Sequence, residues 1–249
     1  MTPLAPIAFL LDVDNTLLDN DRIIADLRRH LAQAFEADTE APGEGCAERY
    51  WAIFEERRAE LGYADYLGSL QAYRAQNPRD PIFLQISLFL LDYPFAERLF
   101  PGALAVVERL HGFGPTVILS DGDVVFQPRK IQRSGLFEQV AGRVLVYIHK
   151  EQELDDVEQR YPARHYVLVD DKLRILTAAK AVWGSRVTTV FPRQGHYAHD
   201  PAALAGCPPA DITIESIGDL LRFDLPELLH ADRVGSAASR SGSSVGEKP

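Results

Sequence analysis

The 249-residue sequence is short of cysteine, of basic residues relative to acidic ones, and of long apolar runs. Its two cysteines, Cys46 and Cys207, imply no disulfide framework, so we expect a reducing compartment, the cytoplasm. The 36 acidic residues outnumber the 26 basic ones, and the net charge of −10 argues against a broad nucleic-acid-binding surface. No apolar stretch approaches the roughly 18 residues that a membrane span needs. We therefore expect neither a nucleic-acid nor a membrane partner, and the oligomeric state stays open.

Five short apolar runs are continuous instead of alternating, which is typical of strands buried on both faces of a parallel sheet. They lie at residues 7–11, 116–119, 144–148, 166–169 and 187–191. Helix-like segments separate most of them, for example residues 102–110 and 173–182. The first run has no basic residue before it, so we interpret it as a strand and not as a signal peptide. Strands that alternate with helices predict an α/β fold with a doubly wound parallel sheet.

A long interval between the first two predicted strands contains no convincing strand. It has four predicted helices, at residues 20–36, 46–62, 64–76 and 82–98. We therefore predict a core domain formed by residues 1–19 and 100–232, with a helical domain of residues 20–99 inserted into it. Asp19 and Asn20, where the insertion begins, are interpreted as the cap of its first helix. Residues 233–249 are rich in Ser and Gly and are predicted to be a disordered tail.

Two carboxylates directly follow the first predicted strand, in the sequence Asp12-Val13-Asp14-Asn15-Thr16. Ligands of an open α/β sheet bind beyond the carboxyl ends of its strands, which is where these residues fall. In an extended segment, side chains two residues apart point the same way, so both carboxylates could face one pocket. Two anions this close repel each other unless a cation or a shared proton intervenes. This motif alone fits a helix-capping turn equally well, since Asp, Asn and Thr are common there.

Three later strand ends carry side chains that suit the binding of phosphate or a metal. Ser120 and Asp121 follow the second strand, where a hydroxyl and backbone N–H groups can hold phosphate oxygens. Lys150 follows the third strand, and Asp170 and Asp171 follow the fourth. Each residue alone has an ordinary alternative as a turn, a solvated side chain or a helix cap. Four strand ends with complementary groups together favour a catalytic site.

The four motifs, in this order, resemble those of the haloacid dehalogenase superfamily of hydrolases, and the resemblance covers residues 5–225. The matching residues are Asp12, Asp14 and Thr16 in the first motif, Ser120 in the second, Lys150 in the third, and Asp170 and Asp171 in the fourth. The resemblance implies a Rossmann-like core, and the insertion is similar to the helical cap of one subgroup of this family. Lys130 competes with Lys150 for the third motif, but it lies in a predicted helix and not at a strand end. Lys172 is expected to point away from the acidic pair.

The resemblance also implies a Mg²⁺-dependent phosphatase that hydrolyses the phosphate monoester of a small metabolite. Asp12 would be the nucleophile that forms an aspartyl-phosphate, and Asp14 would protonate the leaving alcohol and then activate water. Ser120, Asp121 and Lys150 would bind the phosphate. The implied Mg²⁺ ligands are Asp12, Asp14 through its backbone carbonyl, Asp170 and Asp171.

Particular residues argue against some other functions and leave others open. Asp14 disfavours a dehalogenase, because displacement of a halide needs no acid. A phosphonatase needs a lysine in the cap, and the stretch from Asn20 to Phe100 contains none. A phosphomutase, a phospho-accepting signalling module and a non-catalytic binding module remain alternatives. The substrate stays open, and His196 and His199 fit a surface loop better than a metal or partner site.

Overall fold

Six parallel strands form the central sheet of the protein. The computed structural model describes residues 4–36, 45–80 and 82–224, together with residues 226, 228 and 229. The strands are β1 (Ala5–Leu11), β2 (Thr116–Asp121), β3 (Val144–Tyr147), β4 (Ala163–Val169), β5 (Val187–Pro192) and β6 (Ile212–Ile214). Their order is β3-β2-β1-β4-β5-β6, and every neighbouring pair is parallel. The predicted α/β fold with a doubly wound parallel sheet is confirmed.

The side chains of β1 divide between the two faces of the sheet. Ile7, Phe9 and Leu11 belong to one buried apolar cluster, whereas Ala8 and Leu10 belong to another. Successive side chains of a strand point to opposite faces, so a strand covered on both sides must be apolar at every position. The unbroken apolar run that predicted this strand therefore has a direct structural cause.

The strand order reverses at β1, which brings the carboxyl ends of three strands together. The chain adds β2 and β3 on one side of β1 and then crosses to β4, β5 and β6 on the other. Leu11 is in register with Ile118 of β2 and Val169 of β4. The residues after these positions meet at one edge of the sheet, in the crevice where open α/β sheets bind ligands.

Helices occupy the interval between β1 and β2. They are α1 (Asn20–Glu36), α2 (Cys46–Leu61), α3 (Tyr66–Gln76) and α4 (Ile82–Asp92). In α1, Ile23, Leu27 and Leu31 recur every four residues and are fully buried, so they form the stripe that packs inward. Asp19 caps this helix as expected, because its carboxylate accepts the N–H of Arg22 at 2.9 Å.

The segments that enter and leave this helical interval lie side by side. Leu18 and Leu99 form an antiparallel bridge. The N–H of Asp19 donates to the carbonyl of Arg98 at 2.8 Å, one residue further along. The division into a core of residues 1–19 and 100–232 and a cap of residues 20–99 stays a prediction. The predicted tail at residues 233–249 lies outside the described residues.

The remaining α-helices of the described ranges flank the sheet. They are α5 (Ala103–His111), α6 (Phe126–Arg133), α7 (Leu136–Gln139), α8 (Leu154–Arg160), α9 (Leu173–Trp183) and α10 (Pro201–Leu204). The helix predicted at residues 82–98 ends earlier, at Asp92, because Pro94 disfavours the helical conformation in the residue before it. A separate 3₁₀ turn, Phe95–Arg98, follows. β6 was not predicted, since three residues are too few to show a pattern. Within the described ranges, no helix combines the length and apolarity that crossing a membrane requires.

Candidate active site

The turn after β1 is tight and is held by its own backbone. The carbonyl of Val13 accepts the N–H groups of Thr16, Leu17 and Leu18 at 2.9–3.2 Å. Asn15 has a φ of 62°, a left-handed conformation that asparagine tolerates better than most residues. This turn carries Asp12 and Asp14 at the carboxyl edge of the sheet.

A second loop closes over this turn. Gly195 has a φ of +67°, and a Cβ atom built there would lie 2.4 Å from Cβ of Asn15, so only glycine fits. Next to it, Gln194 donates from Nε2 to the carbonyl of Thr16 at 3.0 Å. The carboxylate of Asp21 accepts the backbone N–H of His196 at 2.8 Å. Its other oxygen lies 2.6 Å from the ring nitrogen Nδ1 of His196. The loop after β5 thus fixes the beginning of α1.

Lys150 lies between two carboxylates from different strands. Its Nζ is 2.5 Å from Oδ1 of Asp12 and 2.7 Å from Oδ2 of Asp170. It also donates to the carbonyl of Leu119 at 3.2 Å, and its side chain is only 2% exposed. Burial alone would lower the pKa of this ammonium, but the charges of Asp12, Asp170 and Asp121 outweigh that effect and raise it. Lys150 is therefore a fixed positive charge beneath the Asp12 carboxylate.

Asp170 and Asp171 are both buried at the end of β4. Asp170 accepts the N–H of Lys172 at 2.8 Å, and the N–H of Asp171 donates to Oγ1 of Thr16 at 3.1 Å. Both side-chain oxygens of Asp171 are buried without a hydrogen-bond partner among the described groups. Burial raises the pKa of Asp170 to about 6 and raises that of Asp171 well above its usual range. Such an unpartnered buried carboxylate is typical of a site that binds a cation.

The three carboxylates of Asp12, Asp170 and Asp171 fit a divalent metal. One oxygen of each lies within 4.8 Å of the others. Among the described residues, the ammonium of Lys150 pairs with the carboxylates of Asp12 and Asp170 but not with that of Asp171. Hard divalent cations such as Mg²⁺ prefer oxygen ligands of this kind. These residues could therefore hold the Mg²⁺ that the sequence predicted.

Asp14 is engaged by a different lysine. Nζ of Lys130 lies 2.7 and 2.8 Å from the two carboxylate oxygens of Asp14, and it also donates to Oδ1 of Asn20 at 3.1 Å. The side chain of Lys130 is 2% exposed and that of Asp14 is 18% exposed. The two lysines that competed for the third motif thus have separate partners. Lys150 contacts Asp12 and Asp170, whereas Lys130 contacts Asp14.

Ser120 and Asp121, predicted to bind phosphate, make internal contacts at the end of β2. The buried hydroxyl of Ser120 accepts from Nε2 of Gln127 at 2.8 Å and donates to the carbonyl of Asp121 at 3.2 Å. The carboxylate of Asp121 accepts the backbone N–H of Lys150 at 2.7 Å, and burial raises its pKa. Asp121 therefore helps to orient Lys150. The phosphate-binding roles of both residues stay predictions.

A small pocket lies above these groups and adjoins a larger cavity. The pocket is lined by side chains that include Asp12, Asp14, Asn20, Tyr63, Asp121 and His196. Arg58, Lys172 and Tyr197 line both the pocket and the cavity, whose volume is about 360 Å³. The helical insertion contributes Arg58, Ala59 and Gly62 to the cavity, and the sheet domain contributes Lys172 and Tyr197. A substrate in the pocket would therefore extend between the two parts of the molecule.

Lys172 lines the pocket, a position that the sequence did not anticipate. This residue precedes α9 in extended backbone, and its ammonium donates to the carbonyl of Gly62 at 2.8 Å. It also lies 4.9 Å above the ring of Tyr197. Asn20, interpreted as part of a cap, lines the pocket, and so does His196, expected in a plain surface loop. No signal in the sequence pointed to these contacts, because each joins segments far apart in the chain.

The comparisons with known proteins agree with this geometry. A family model of haloacid dehalogenase-like hydrolases matches residues 8–182. A protein from Burkholderia xenovorans LB400, assigned as a haloacid dehalogenase-like hydrolase, is 61% identical to this chain. Its structure has a TM-score of 0.83, covering 89% of this chain and 97% of that one. Among curated proteins, none matches this sequence.

Two more distant structures are similar in fold alone. The HAD-hydrolase YfnB from Bacillus subtilis, bound to magnesium, is 17% identical with a TM-score of 0.58, over 92% of this chain and 100% of that one. The L-2-haloacid dehalogenase from Xanthobacter autotrophicus, with chloropropionic acid covalently bound, is also 17% identical, with a TM-score of 0.54. That match covers 88% of this chain and 98% of the dehalogenase. The family model and the 61% identical relative show that this chain is an enzyme of the haloacid dehalogenase-like hydrolase family.

Proposed function

We propose that the protein is a Mg²⁺-dependent phosphatase that hydrolyses the phosphate monoester of a small metabolite through an aspartyl-phosphate on Asp12. The observation that carries this proposal is a second carboxylate, Asp14, that lines the same pocket as Asp12. An enzyme that releases an alcohol needs an acid to protonate it, whereas one that releases a halide does not. The pair thus supports ester hydrolysis.

The residues of the pocket suit two successive displacements at phosphorus. In the first, a carboxylate oxygen of Asp12 attacks phosphorus, the bond to the alcohol oxygen breaks, and Asp14, which enters this step as the protonated acid, gives that oxygen its proton and becomes a carboxylate. In the second, Asp14 takes a proton from water, the water oxygen attacks phosphorus, and the bond to Asp12 breaks. Inorganic phosphate leaves, and both carboxylates return to their initial state.

Positive charge is needed before a carboxylate can attack a phosphate dianion. Lys150, held 2.5 Å from Asp12, supplies one such charge within the protein. Asp12, Asp170 and Asp171 would hold Mg²⁺, with the backbone carbonyl of Asp14 as a further predicted ligand. When bound, the ion supplies charge neutralisation for the transferring phosphoryl group. Ser120 would have to turn from Gln127 to contact the phosphate.

The cavity next to the pocket would take the alcohol part of the substrate. At about 360 Å³ it fits a small molecule instead of a polymer. Arg58 and Lys172 are cations at its junction with the pocket, which suits an anionic ester. α2 and the loop after it line this junction from the insertion, and residues there would help to exclude water during transfer.

Phosphate release from a panel of phosphorylated metabolites in the presence of Mg²⁺ tests the proposal. We expect the wild type to hydrolyse at least one ester, and Asp12→Asn to be slower by about a thousandfold or more. Asp155→Asn, on the exposed surface of α8, is the matched control and should retain wild-type rates. Equal background rates for wild type and Asp12→Asn would contradict the proposal.

A parallel measurement separates the closest alternative chemistry. L-2-chloropropionate is supplied without a phosphate ester, and chloride release is followed. Release of chloride at a rate that Asp12→Asn abolishes, with no phosphate release from any ester, would show a dehalogenase. Conversion of an ester to its isomer without free phosphate would show a phosphomutase.

A further inference from the structure

Lys130 has a position that the four motifs do not account for. It is buried on α6, and its ammonium contacts both oxygens of Asp14 and Oδ1 of Asn20. We propose that Lys130 is the positioning residue for Asp14, and that it ties the proton-transfer group of the active site to the helical insertion. This inference rests on the proposed phosphatase reaction, in which Asp14 exchanges a proton with the alcohol and with water.

The contacts of Lys130 use its whole hydrogen-bonding capacity. An ammonium has three N–H donors and no acceptor, and here there are three acceptor oxygens at 2.7, 2.8 and 3.1 Å. A carboxylate bound through both oxygens cannot rotate freely about its terminal bond. Asp14 is therefore held in one orientation at the wall of the pocket.

Without Lys130, the charges around Asp14 would favour another orientation. Asp12 and Asp121 line the same pocket as Asp14, and all three carry carboxylates. Like charges repel, so an unrestrained Asp14 carboxylate would turn toward solvent. Of these three carboxylates, Lys150 contacts Asp12 and Asp121, and Lys130 offsets the repulsion at Asp14.

The helix that carries Lys130 is itself firmly placed. Asp123 caps it, since Oδ1 accepts the N–H groups of Val125 at 2.8 Å and Phe126 at 2.6 Å. Phe126 and Ile131 are buried on the same helix. A positioning residue is effective only when its own backbone is rigid, and α6 meets that requirement.

Two residues of the helical insertion complete the arrangement. Asn20 is the first residue of α1, and its side chain accepts from Lys130. Tyr66, on α3, lies with its ring 5.8 Å from Nζ of Lys130 and its hydroxyl 3.5 Å from Oδ1 of Asn20. The position of Asp14 therefore depends on Asn20 of α1 and Tyr66 of α3 staying beside Lys130.

The sensitivity of the reaction to its leaving group tests this role. A series of aryl phosphates, from phenyl phosphate to 2,4-dinitrophenyl phosphate, varies how much the leaving oxygen needs a proton. For Lys130→Met we expect kcat/KM for phenyl phosphate, which reports the first displacement, to fall about 10- to 100-fold, because a displaced acid transfers its proton poorly. The kcat/KM for 2,4-dinitrophenyl phosphate, whose leaving group needs no proton, should fall by less than about threefold.

Two further variants distinguish positioning from a structural effect. Lys130→Arg keeps a positive charge and should recover part of the phenyl phosphate rate. In the Asp14→Asn background, Lys130→Met should add no further loss with phenyl phosphate, because the group it positions is gone. The matched control is Lys180→Met. It removes a lysine outside the site whose ammonium lies 2.9 Å from the carboxylate of Asp211.

Each outcome bears on the proposal. Equal falls in kcat/KM for both esters in Lys130→Met, or a further fall in the Asp14→Asn background, would overturn it. If Lys130→Met does not fold, by far-ultraviolet circular dichroism, Asn20→Ala replaces it. That variant removes one acceptor, and we expect a several-fold fall restricted to phenyl phosphate; an equal fall with both esters would again overturn the role. A wild type that hydrolyses no ester would instead contradict the proposed function.

Discussion

The ammonium of Lys150 lies 2.5 Å from Oδ1 of Asp12, although 138 residues separate them in the chain. The same ammonium is 2.7 Å from Oδ2 of Asp170. β1 and β4 are adjacent and in register at Leu11 and Val169, so the carboxylates that follow these residues must be neighbours. Their mutual repulsion would destabilise the sheet edge if no cation lay between them. Lys150 thus serves both the fold and the proposed chemistry.

Lys150→Met is expected to lower both activity and stability. Phosphate release should fall by about a hundredfold or more, since a fixed charge at the reacting group is lost. The free energy of unfolding should fall by about 3–5 kcal/mol, because two buried carboxylates lose their partner. Steady-state kinetics and urea unfolding measure the two effects. Lys180→Met, which breaks a more exposed pair, should change both far less, and wild-type release by Lys150→Met would contradict the expectation.

Asp171→Asn is expected to stabilise the metal-free protein while removing its response to Mg²⁺. Both oxygens of Asp171 are buried without a hydrogen-bond partner among the residues that the structure describes, and an amide of the same shape has no charge to desolvate. The melting temperature without metal should rise by a few degrees, as about 1–3 kcal/mol is recovered. Mg²⁺ that binds the folded state as proposed should stabilise the wild type, and this increment should disappear in the variant.

Asp170→Asn provides the matched comparison for that variant. Asp170 is equally buried but contacts Lys150, so its replacement breaks an ion pair. The melting temperature without metal should therefore fall instead of rise. Thermal unfolding with and without Mg²⁺ measures both variants. If Asp171→Asn lowers the metal-free melting temperature as much as Asp170→Asn does, Asp171 has a structural role instead of a metal-binding one.

Asp26 is expected to make the stability of the helical insertion depend on pH. Its buried carboxylate accepts from the hydroxyl of Tyr93 at 2.5 Å and from Arg98 at 3.1 Å. Burial alone would raise the pKa of Asp26, but these hydrogen bonds outweigh it and lower the pKa. A carboxyl group whose pKa is lower in the folded than in the unfolded chain stabilises the fold at pH values above its unfolded pKa of about 3.9. This stabilisation is lost as the pH falls through the folded pKa.

Asp26→Asn should therefore cost about 1–3 kcal/mol at pH 7 and progressively less below about pH 4. Urea unfolding at pH 7, 5 and 3 measures the difference from wild type. Asp155→Asn, an exposed position on α8, should show little difference at any of these pH values. A loss for Asp26→Asn that stays constant down to pH 3 would mean that the Asp26 charge is not its source.

The sequence predicted those parts of the site that follow from strand ends. The carboxyl ends of parallel strands meet at one edge, so continuous apolar runs followed by Asp12, Ser120 or Asp170 imply proximity without any knowledge of packing. Helix α1 of the insertion was predictable for a similar local reason, the four-residue recurrence of its apolar side chains. Their roles in catalysis were implied by the family resemblance, not by these patterns.

The contacts of Lys130, Lys172 and His196 could not be predicted in this way. Lys130 was assigned to a helix, but whether that helix points its lysine at Asp14 depends on how α6 packs against the rest of the molecule. Lys172 reaches Gly62, which lies 110 residues earlier, and His196 reaches Asp21, 175 residues earlier. Such pairs are set by tertiary packing, which periodicity in a single sequence does not encode.

Ala59→Trp is expected to exclude large substrates while leaving the chemistry intact. Ala59 is on the exposed side of α2 and lines the cavity of about 360 Å³, so an indole there would occupy part of the space for the alcohol. For a hexose 6-phosphate, kcat/KM should fall about tenfold or more, whereas methyl phosphate, which does not reach the cavity, should keep its rate. Ala52→Trp, on an exposed position of the same helix away from the cavity, should affect neither ester. Equal losses for both esters in Ala59→Trp would mean that the alcohol part of the substrate lies elsewhere.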